Sequence, residues 1–300
     1  MDPFSSEGEL LTIHNAFHGG QYSAIINHDT SGLSAENRIP SRVYKLRSQI
    51  ASGQAEGVAA ELEGEDSPDL AVLKAFAEYS QGNTVDAMKT VESLVEASSD
   101  NATVQIIGAT VLHVQGRSEE ALALLSKHQG SLEAVALVVQ IHLSQNRTDL
   151  ALKEVLNAKR WAQDSLLVNL AESWVGLRIV TLGFQGGERY QQAYYVYEEL
   201  AQTPSTSTPR ALIGQAVAEL HLGRLPEAEV ALQQALEKDP KHEDALANMI
   251  ILSILAGKEF DEYLSSLQNS APSHPFLTNV AQKSELFDKA AAKYTAKVGA

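Results

Sequence analysis

The residues with most chemistry to offer are the nine histidines. His14 and His18 stand four apart, so on a helix they share one face, where two imidazoles could hold a metal. The zinc-protease pattern places Glu directly after the first of such a pair, and here Asn15 stands there. His113, His128, His142, His221 and His242 are scattered, mostly near expected helix ends, and the histidines are read as structural or solvated. With no cysteine in the chain, disulfides, thiolate catalysis, zinc ribbons and Fe–S clusters are excluded. No Gly-x-Ser-x-Gly elbow occurs. Gly183-Phe184-Gln185-Gly186-Gly187 lacks the Lys and Ser/Thr of a phosphate-binding loop and reads as a turn. Glu119-Glu120 and Glu198-Glu199 are sequence neighbours, so on helices they point in different directions and read as solvated faces, whereas glycoside hydrolysis needs two carboxyls on one cleft. The expectation is therefore a non-enzyme, with no catalytic, cofactor-binding or metal-binding residue and no cofactor.

Composition narrows the partners. Lys and Arg number 23 and Asp and Glu 38, a net charge of −15. That excess opposes a grip on nucleic-acid phosphates and on an anionic membrane leaflet. The densest basic cluster, Arg42, Lys45 and Arg47 around Tyr44, reads as one local helix face. Hydrophobic residues make up 44 % and charged residues 20 %, a globular balance. Aromatics are only 6 %, against 40 alanines, which points to helices packed closely on small side chains. The N-terminal residues show neither a basic region nor an apolar run of the secretory kind, and the richest apolar run, ending at Gly257, is too short to span a membrane.

The elements that must position any binding residues emerge from a repeat. Between Pro209 and Pro240, one helix runs to Leu222, Gly223-Arg224 breaks it, and a second runs from Leu225 with Ala228, Leu232 and Ala235 on one face. This resembles the tetratricopeptide repeat, two antiparallel helices in about 34 residues. Inter-helix turns are placed at Gly19, Gly53, Gly82, Gly116, Asn146, Glu188, Gly223 and Gly257, successive spacings being 34, 29, 34, 30, 42, 35 and 34. Five residues past each turn stand Ala24, Val58, Ala87, Ala121, Ala151, Ala193, Ala228 and Glu262, small in seven cases, where the second helix must pack. Ser118 and Thr148 are read as N-caps. The 42-residue spacing is read as a longer inter-helix loop around 180–187 or as a helix extended by two turns. In the last helix Leu286, Ala290, Tyr294 and Val298 form a stripe expected to cover the end of the solenoid. The predicted fold is an all-α, tetratricopeptide-like right-handed α-solenoid of about eight helix pairs, strongly curved. It is read as a single domain over residues 1–300, with 271–300 as its C-terminal cap.

Such a solenoid presents its first helices on a concave face that recognises other proteins. The groove-facing positions are Val72, Phe76 and Tyr79, then Ile106, Thr110 and His113, then Ala136, Gln140 and Leu143. Ile213, Val217 and Leu220 follow, then Ala247, Ile251 and Ile254. Many are apolar, so a cover is expected, either a partner or the superhelix closing on itself, unless these positions belong to the core. No clamp of Lys, Arg and Asn for an acidic peptide tail is found at these positions. Even so, another tetratricopeptide adaptor or co-chaperone stays as the alternative.

Three segments carry a more specific resemblance. His14-Asn15-Ala16-Phe17-His18-Gly19-Gly20-Gln21-Tyr22, the stretch from Gly186-Gly187-Glu188-Arg189-Tyr190 through Ala193-Tyr194-Tyr195 to Ala201, and Ser273-His274-Pro275-Phe276 resemble the epsilon-subunit family of coatomer, in order and over nearly the whole chain. The stretch 180–185 looks like an insertion before the second segment. The resemblance implies a curved superhelix that encircles a protruding β-hairpin in the C-terminal domain of the coatomer alpha subunit and stabilises that subunit. It implies a heterodimer within the rest of the coatomer complex, and a role in Golgi-to-ER retrograde and intra-Golgi vesicle transport. The implied location is cytoplasmic and peripheral on Golgi membranes and coated vesicles, the membrane being reached only through the coat. No catalytic residue is carried over.

Overall fold

The computed structural model describes residues 6–178, 184–202 and 207–294, and among them every regular element is helical. The chain falls into two compact units, Met1–Thr206 and Ser207–Ala300. The first opens with α1 (Ser6–Glu9), α2 (Leu11–His18) and α3 (Tyr22–Ile26), then a 3-10 turn (Ala35–Asn37) leading into α4 (Arg38–Ala51). It continues with α5 (Ala55–Glu61), α6 (Pro68–Ser80), α7 (Thr84–Ala97), α8 (Ala102–Val114) and α9 (Ser118–Leu125). It ends with α10 (Leu132–Ser144), α11 (Thr148–Ala162), α12 (Leu166–Arg178) and α13 (Phe184–Gln202). The second unit holds α14 (Pro209–His221), α15 (Leu225–Lys238), α16 (Glu243–Ala256), α17 (Asp261–Ser270) and α18 (Pro275–Ala291). Six antiparallel pairs, α2/α3 to α12/α13, build the first unit, and two pairs, α14/α15 and α16/α17, build the second.

One turn recurs, and its hydrogen bonds explain why. Gly53, Gly82, Gly116, Gly223 and Gly257 are all left-handed, and Asn146 takes the same conformation at φ 58°. The next residue turns its N–H back to the carbonyl five positions earlier: Arg117 to Leu112, Arg147 to His142, Arg224 to Glu219 and Lys258 to Ser253. This closure satisfies the last carbonyls of the first helix, and only Gly or Asn takes the left-handed position cheaply. At the first turn the left-handed residue is Gly20, while Gly19 is right-handed at φ −74°. The expected turn at Gly19 is thus one residue early, and the buried residue five past Gly20 is Ile25, with Ala24 exposed. The expected turn at Glu188 falls inside α13, which runs 19 residues from Phe184, so the helix that lengthens this unit is its second one. The preceding residues, 179–183, lie outside the described ones, as does most of the 180–185 insertion.

Caps differ from expectation too. Ser118 and Thr148 are the first helical residues of α9 and α11, behind Arg117 and Arg147, and neither caps through its side chain. Side-chain caps fall instead on α8, α10 and α14, where Asn101, Ser131 and Thr208 accept from the N–H of Val104, Ala134 and Ala211, and on α18, where His274 accepts from that of Phe276.

The alanines are where the packing needs them. Ala87, Ala121, Ala151 and Ala228 are 0 % exposed, each where a second helix meets its partner. In the first unit, apolar clusters run from Val43 and Leu46 on α4, through Val72 and Leu73 on α6 and Ile107 on α8, to Val155 on α11 and Val175 on α12. Gly108 on α8 is where elements come closest: a Cβ there would stand 2.9 Å from a methyl of Val95 and 3.3 Å from one of Leu124. In the second unit, Leu246, Ile250 and Leu267 pack with Phe276 and Leu277 of α18. Beyond that first turn α18 buries nothing: Leu286 and Tyr294 of the expected covering stripe are exposed, as are Val280 and Phe287. Val298 lies outside the described residues.

The inner helices of the first unit close on themselves. Each packs on the next in the cycle α2, α4, α6, α8, α10, α12, and α12 packs back on α2. Replacing a fully buried alanine tests the close packing that this ring requires. Ala121→Leu should lower stability by about 1–3 kcal/mol through overpacking, measured by urea unfolding, whereas Ala24→Leu, at an exposed site, should leave the midpoint within error.

Candidate partner-binding site

A cavity of about 1020 Å3 lies inside the ring and is walled by all six inner helices. His14 comes from α2, Tyr44 and Arg47 from α4, Asp69 from α6, Ile106 from α8, Glu133 from α10 and Leu166 from α12. Most inner helices present their N-terminal turns here, while α4 adds Tyr44 and Arg47 from further along and α11 adds Trp161 and Ala162 from its end. Asp69 accepts from the Asn101 amide at 2.9 Å and the Thr103 hydroxyl at 2.5 Å, which ties the start of α6 to that of α8.

A buried polar contact crosses the ring. Glu133, in the first turn of α10, accepts from His18 Nε2 at 2.9 Å and the Tyr44 hydroxyl at 2.7 Å through Oε1, and from Arg47 Nη1 at 2.8 Å through Oε2. The side chains of Glu133, His18 and Arg47 are 11 %, 14 % and 14 % exposed. The Arg47 guanidinium also lies 4.4 Å from the centre of the Phe17 ring and 5.5 Å from that of Tyr44. The His14 ring lies tilted against that of His18, with centroids 4.5 Å apart.

Burial opposes the charge on Glu133, but Arg47 and the His18 hydrogen bond outweigh it and hold the carboxyl well below its usual value. Burial, and the neighbouring Glu133 charge after it, push the Tyr44 hydroxyl up, so it donates. Burial, helped by His18, holds His14 below its ordinary value, so it stays neutral.

Ligand atoms of His14, His18 and Glu133 lie within 4.8 Å of one another, a spacing that could hold a metal. A divalent cation there would face the Arg47 charge on the same carboxylate and would break the His18 contact. The arrangement is a hydrogen-bonded node built around one ion pair. In the sequence, Arg47 was grouped with Arg42 and Lys45 as a helix face. Arg42 does lie on such a face, paired with Glu65 and Glu61, while Arg47 turns inward. Glu133 was not singled out at all, since its partners are 86 to 115 residues away.

The predicted groove positions divide by burial. Val72, Ile106, Ala136, Ile213 and Ala247 are buried. Phe76 and Tyr79 are half-buried against the core, and Tyr79 accepts a hydrogen bond from Gln115 on the next inner helix. Thr110 and His113 are half-buried and locally bonded, Thr110 to the Ile106 carbonyl and His113 to Ser118. Leu143, Val217 and Leu220 are half-buried, and Gln140 is exposed. Ile251 and Ile254 are 36 % and 54 % exposed, beside an exposed Leu255. Of all these positions only Ile106 also lines the cavity.

The chain was compared with known proteins. A family model described as coatomer epsilon subunit matches residues 6–295. A coatomer subunit epsilon-1 of Arabidopsis thaliana is 30 % identical over 299 residues, covering 97 % of this chain and 98 % of that protein. One of Oryza sativa subsp. japonica is 30 % identical, covering 94 % and 96 %. A probable coatomer subunit epsilon of Schizosaccharomyces pombe is 31 % identical, covering 89 % of each. Among solved structures, a chain of the APC/C Cut9–Hcn1 hetero-tetramer superposes with TM-score 0.58 at 11 % identity, covering 92 % of this chain and 54 % of that one. A tetratricopeptide repeat protein of Parabacteroides merdae gives TM-score 0.57 at 12 % identity, covering 82 % and 96 %. These two likenesses show an all-α, tetratricopeptide-like fold.

Removing one side of the node should be costly. Glu133→Ala leaves Arg47 buried without its carboxylate and should destabilise by about 3–5 kcal/mol, whereas Glu133→Leu combined with Arg47→Met should be far milder. Acid should act in two steps of the same sign. His14 takes up a proton more readily unfolded, so stability is full above its ordinary value near 6.5 and falls below it. Glu133 adds a second loss below its ordinary value near 4.5, as its folded-state value is approached. Urea unfolding across pH should show His14→Gln flattening the upper part and Glu133→Gln the lower. An unchanged profile in both would exclude the node as the acid-sensitive element.

Proposed function

The chain belongs to the coatomer epsilon-subunit family, and on that premise we propose that it binds and stabilises the C-terminal domain of the coatomer alpha subunit through its concave faces. It is a structural component of the coatomer coat. The proposed heterodimer would work in Golgi-to-ER retrograde and intra-Golgi vesicle transport, cytoplasmic and peripheral on Golgi membranes and coated vesicles. Contact with membrane would run through the rest of the coat. Among the described residues no helix is long and apolar enough to cross a membrane, which accords with that route.

The observation that carries this reading is the family match over residues 6–295, which spans the ring, its cavity and the second unit alike. The groove residues add a physical reason for a permanent partner. Ile251, Ile254 and Leu255 place three large aliphatic side chains together on the exposed side of α16, and apolar surface of this kind is most stable when covered. An acidic peptide tail fits less well, because Arg47, the only Lys or Arg among the described residues lining the cavity, is already committed to Glu133.

Affinity purification of the tagged chain from its own cells should bring down a larger, β-propeller-bearing coat subunit, identified by mass spectrometry. Its absence would sink the coat reading in favour of another adaptor. Ile251→Glu and Ile254→Glu should each weaken binding to the alpha-subunit domain by about tenfold or more, with helix content unchanged by circular dichroism. Wild-type affinity in both, by calorimetry, would remove α16 from the interface.

A further inference from the structure

The last helix of the second unit leaves the body of that unit. Phe276 and Leu277, in the first turn of α18, pack with Leu246, Ile250 and Leu267. From Thr278 to Tyr294 every residue is exposed. The helix has 17 residues and so runs about 25 Å. Most helical stability in proteins comes from packing an apolar face, and beyond its first turn α18 buries none.

Its apolar and small residues nevertheless follow one line. Leu277, Val280, Ser284, Phe287 and Ala291 succeed one another at steps of three, four, three and four. That spacing averages about 3.5 residues, the period of a narrow seam between two helices. Within it Val280 and Phe287 are 52 % and 72 % exposed.

The line is complementary to itself when reversed. Laid antiparallel on a second α18 in the register that sets Val280 against Ala291, Ser284 meets Phe287, and symmetry repeats both layers. Each layer then joins a larger side chain to a smaller one, as close packing requires. In a parallel pair Phe287 would meet Phe287, while Ser284 and Ala291 would each meet their own copy, crowding one layer and hollowing two. Parallel pairing would also bring two second units to the same end of the pair, whereas antiparallel pairing holds them at opposite ends. Charge agrees with this register. Beside the seam Lys283 faces Ala290 of the second copy and Asp288 faces its Ala281, so no like charges meet.

We propose that this face of α18 is a docking surface for a second copy of the chain, the two helices pairing antiparallel about a two-fold axis level with Glu285 and Leu286. Four layers make a small contact beside the roughly 1,200–2,000 Å2 of a standard interface, so the pairing is reversible and depends on concentration. It uses neither the ring nor the exposed side chains of α16, and it stands apart from the alpha-subunit reading.

The chain alone therefore tests it. Sedimentation equilibrium over about a hundredfold range of concentration should show the mass rising from 32.4 kDa toward twice that value. Phe287→Glu, at the centre of the seam, should weaken dimerisation by about tenfold or more. Leu286 is 58 % exposed but lies on the far side of the helix, so Leu286→Glu should leave dimerisation unchanged. Circular dichroism on both variants separates lost pairing from a lost helix.

With no native cysteine, introduced thiols report the register directly. A mixture of Val280→Cys and Ala291→Cys should form a mixed disulfide dimer on mild oxidation. Neither variant alone should, because the two copies of either position lie about 16 Å apart along the pair. A mass of 32.4 kDa at every concentration would overturn the proposal. So would a Leu286→Glu variant that dimerises as poorly as Phe287→Glu, the mark of unspecific apolar adhesion. A disulfide formed by Val280→Cys alone, the mark of parallel pairing, would overturn it too.

Discussion

A single carboxylate ties the start of the first unit to its fifth inner helix. Glu133 lies at the start of the fifth inner helix and receives hydrogen bonds from the first and second, so the ring depends on a contact between parts of the chain about a hundred residues apart. A solenoid ordinarily gains its stability from nearest neighbours, each repeat touching only the next. Here an end meets a distant repeat, and the join is made by charge and hydrogen bonding with Phe17 packed against it. The burial that makes the join costly to form also makes it costly to break on one side only.

Most of the fold could be read along the chain because most of it is local. The turn after each inner helix needs one left-handed residue, which explains the Gly or Asn at regular intervals, and the alanine five residues on follows from the approach of the second helix. Both are short-range demands that leave a mark on residue type. The errors lie where that mark is ambiguous. Gly19-Gly20 offers two glycines for one left-handed site, and the second takes it. At Glu188 the regular spacing was extrapolated across a longer unit, into a helix with no reason to break there.

The node was illegible for the opposite reason. Arg47 has the same local surroundings as Arg42, yet one pairs with its neighbouring helix and the other with a helix three repeats away. Nothing in the residues around Glu133 separates it from an ordinary first-turn acid, which favours a helix N-terminus anyway. His14 and His18 were legible as a pair on one face, but their use was not, because the third member arrives from α10. Only the closing of the ring makes a site of them.

The same distinction bears on the groove. Counting along an inner helix marks apolar positions but does not say which side of the helix a neighbour will cover. Val72 and Ile254 satisfy the same count, and one is sealed in the core while the other stands in solvent. Inner helices in the middle of a stack are covered on both flanks, so their apolar residues are spent on cohesion. Surface left over for a partner appears where cover is thinner, as on α16 and along α18 beyond its first turn. Other exposed apolar side chains, such as Val85, Val114 and Trp161, stand dispersed over other helices, whereas those of α16 and α18 are grouped. Aliphatic and aromatic side chains kept exposed there are a standing cost to the free chain, and binding removes that cost.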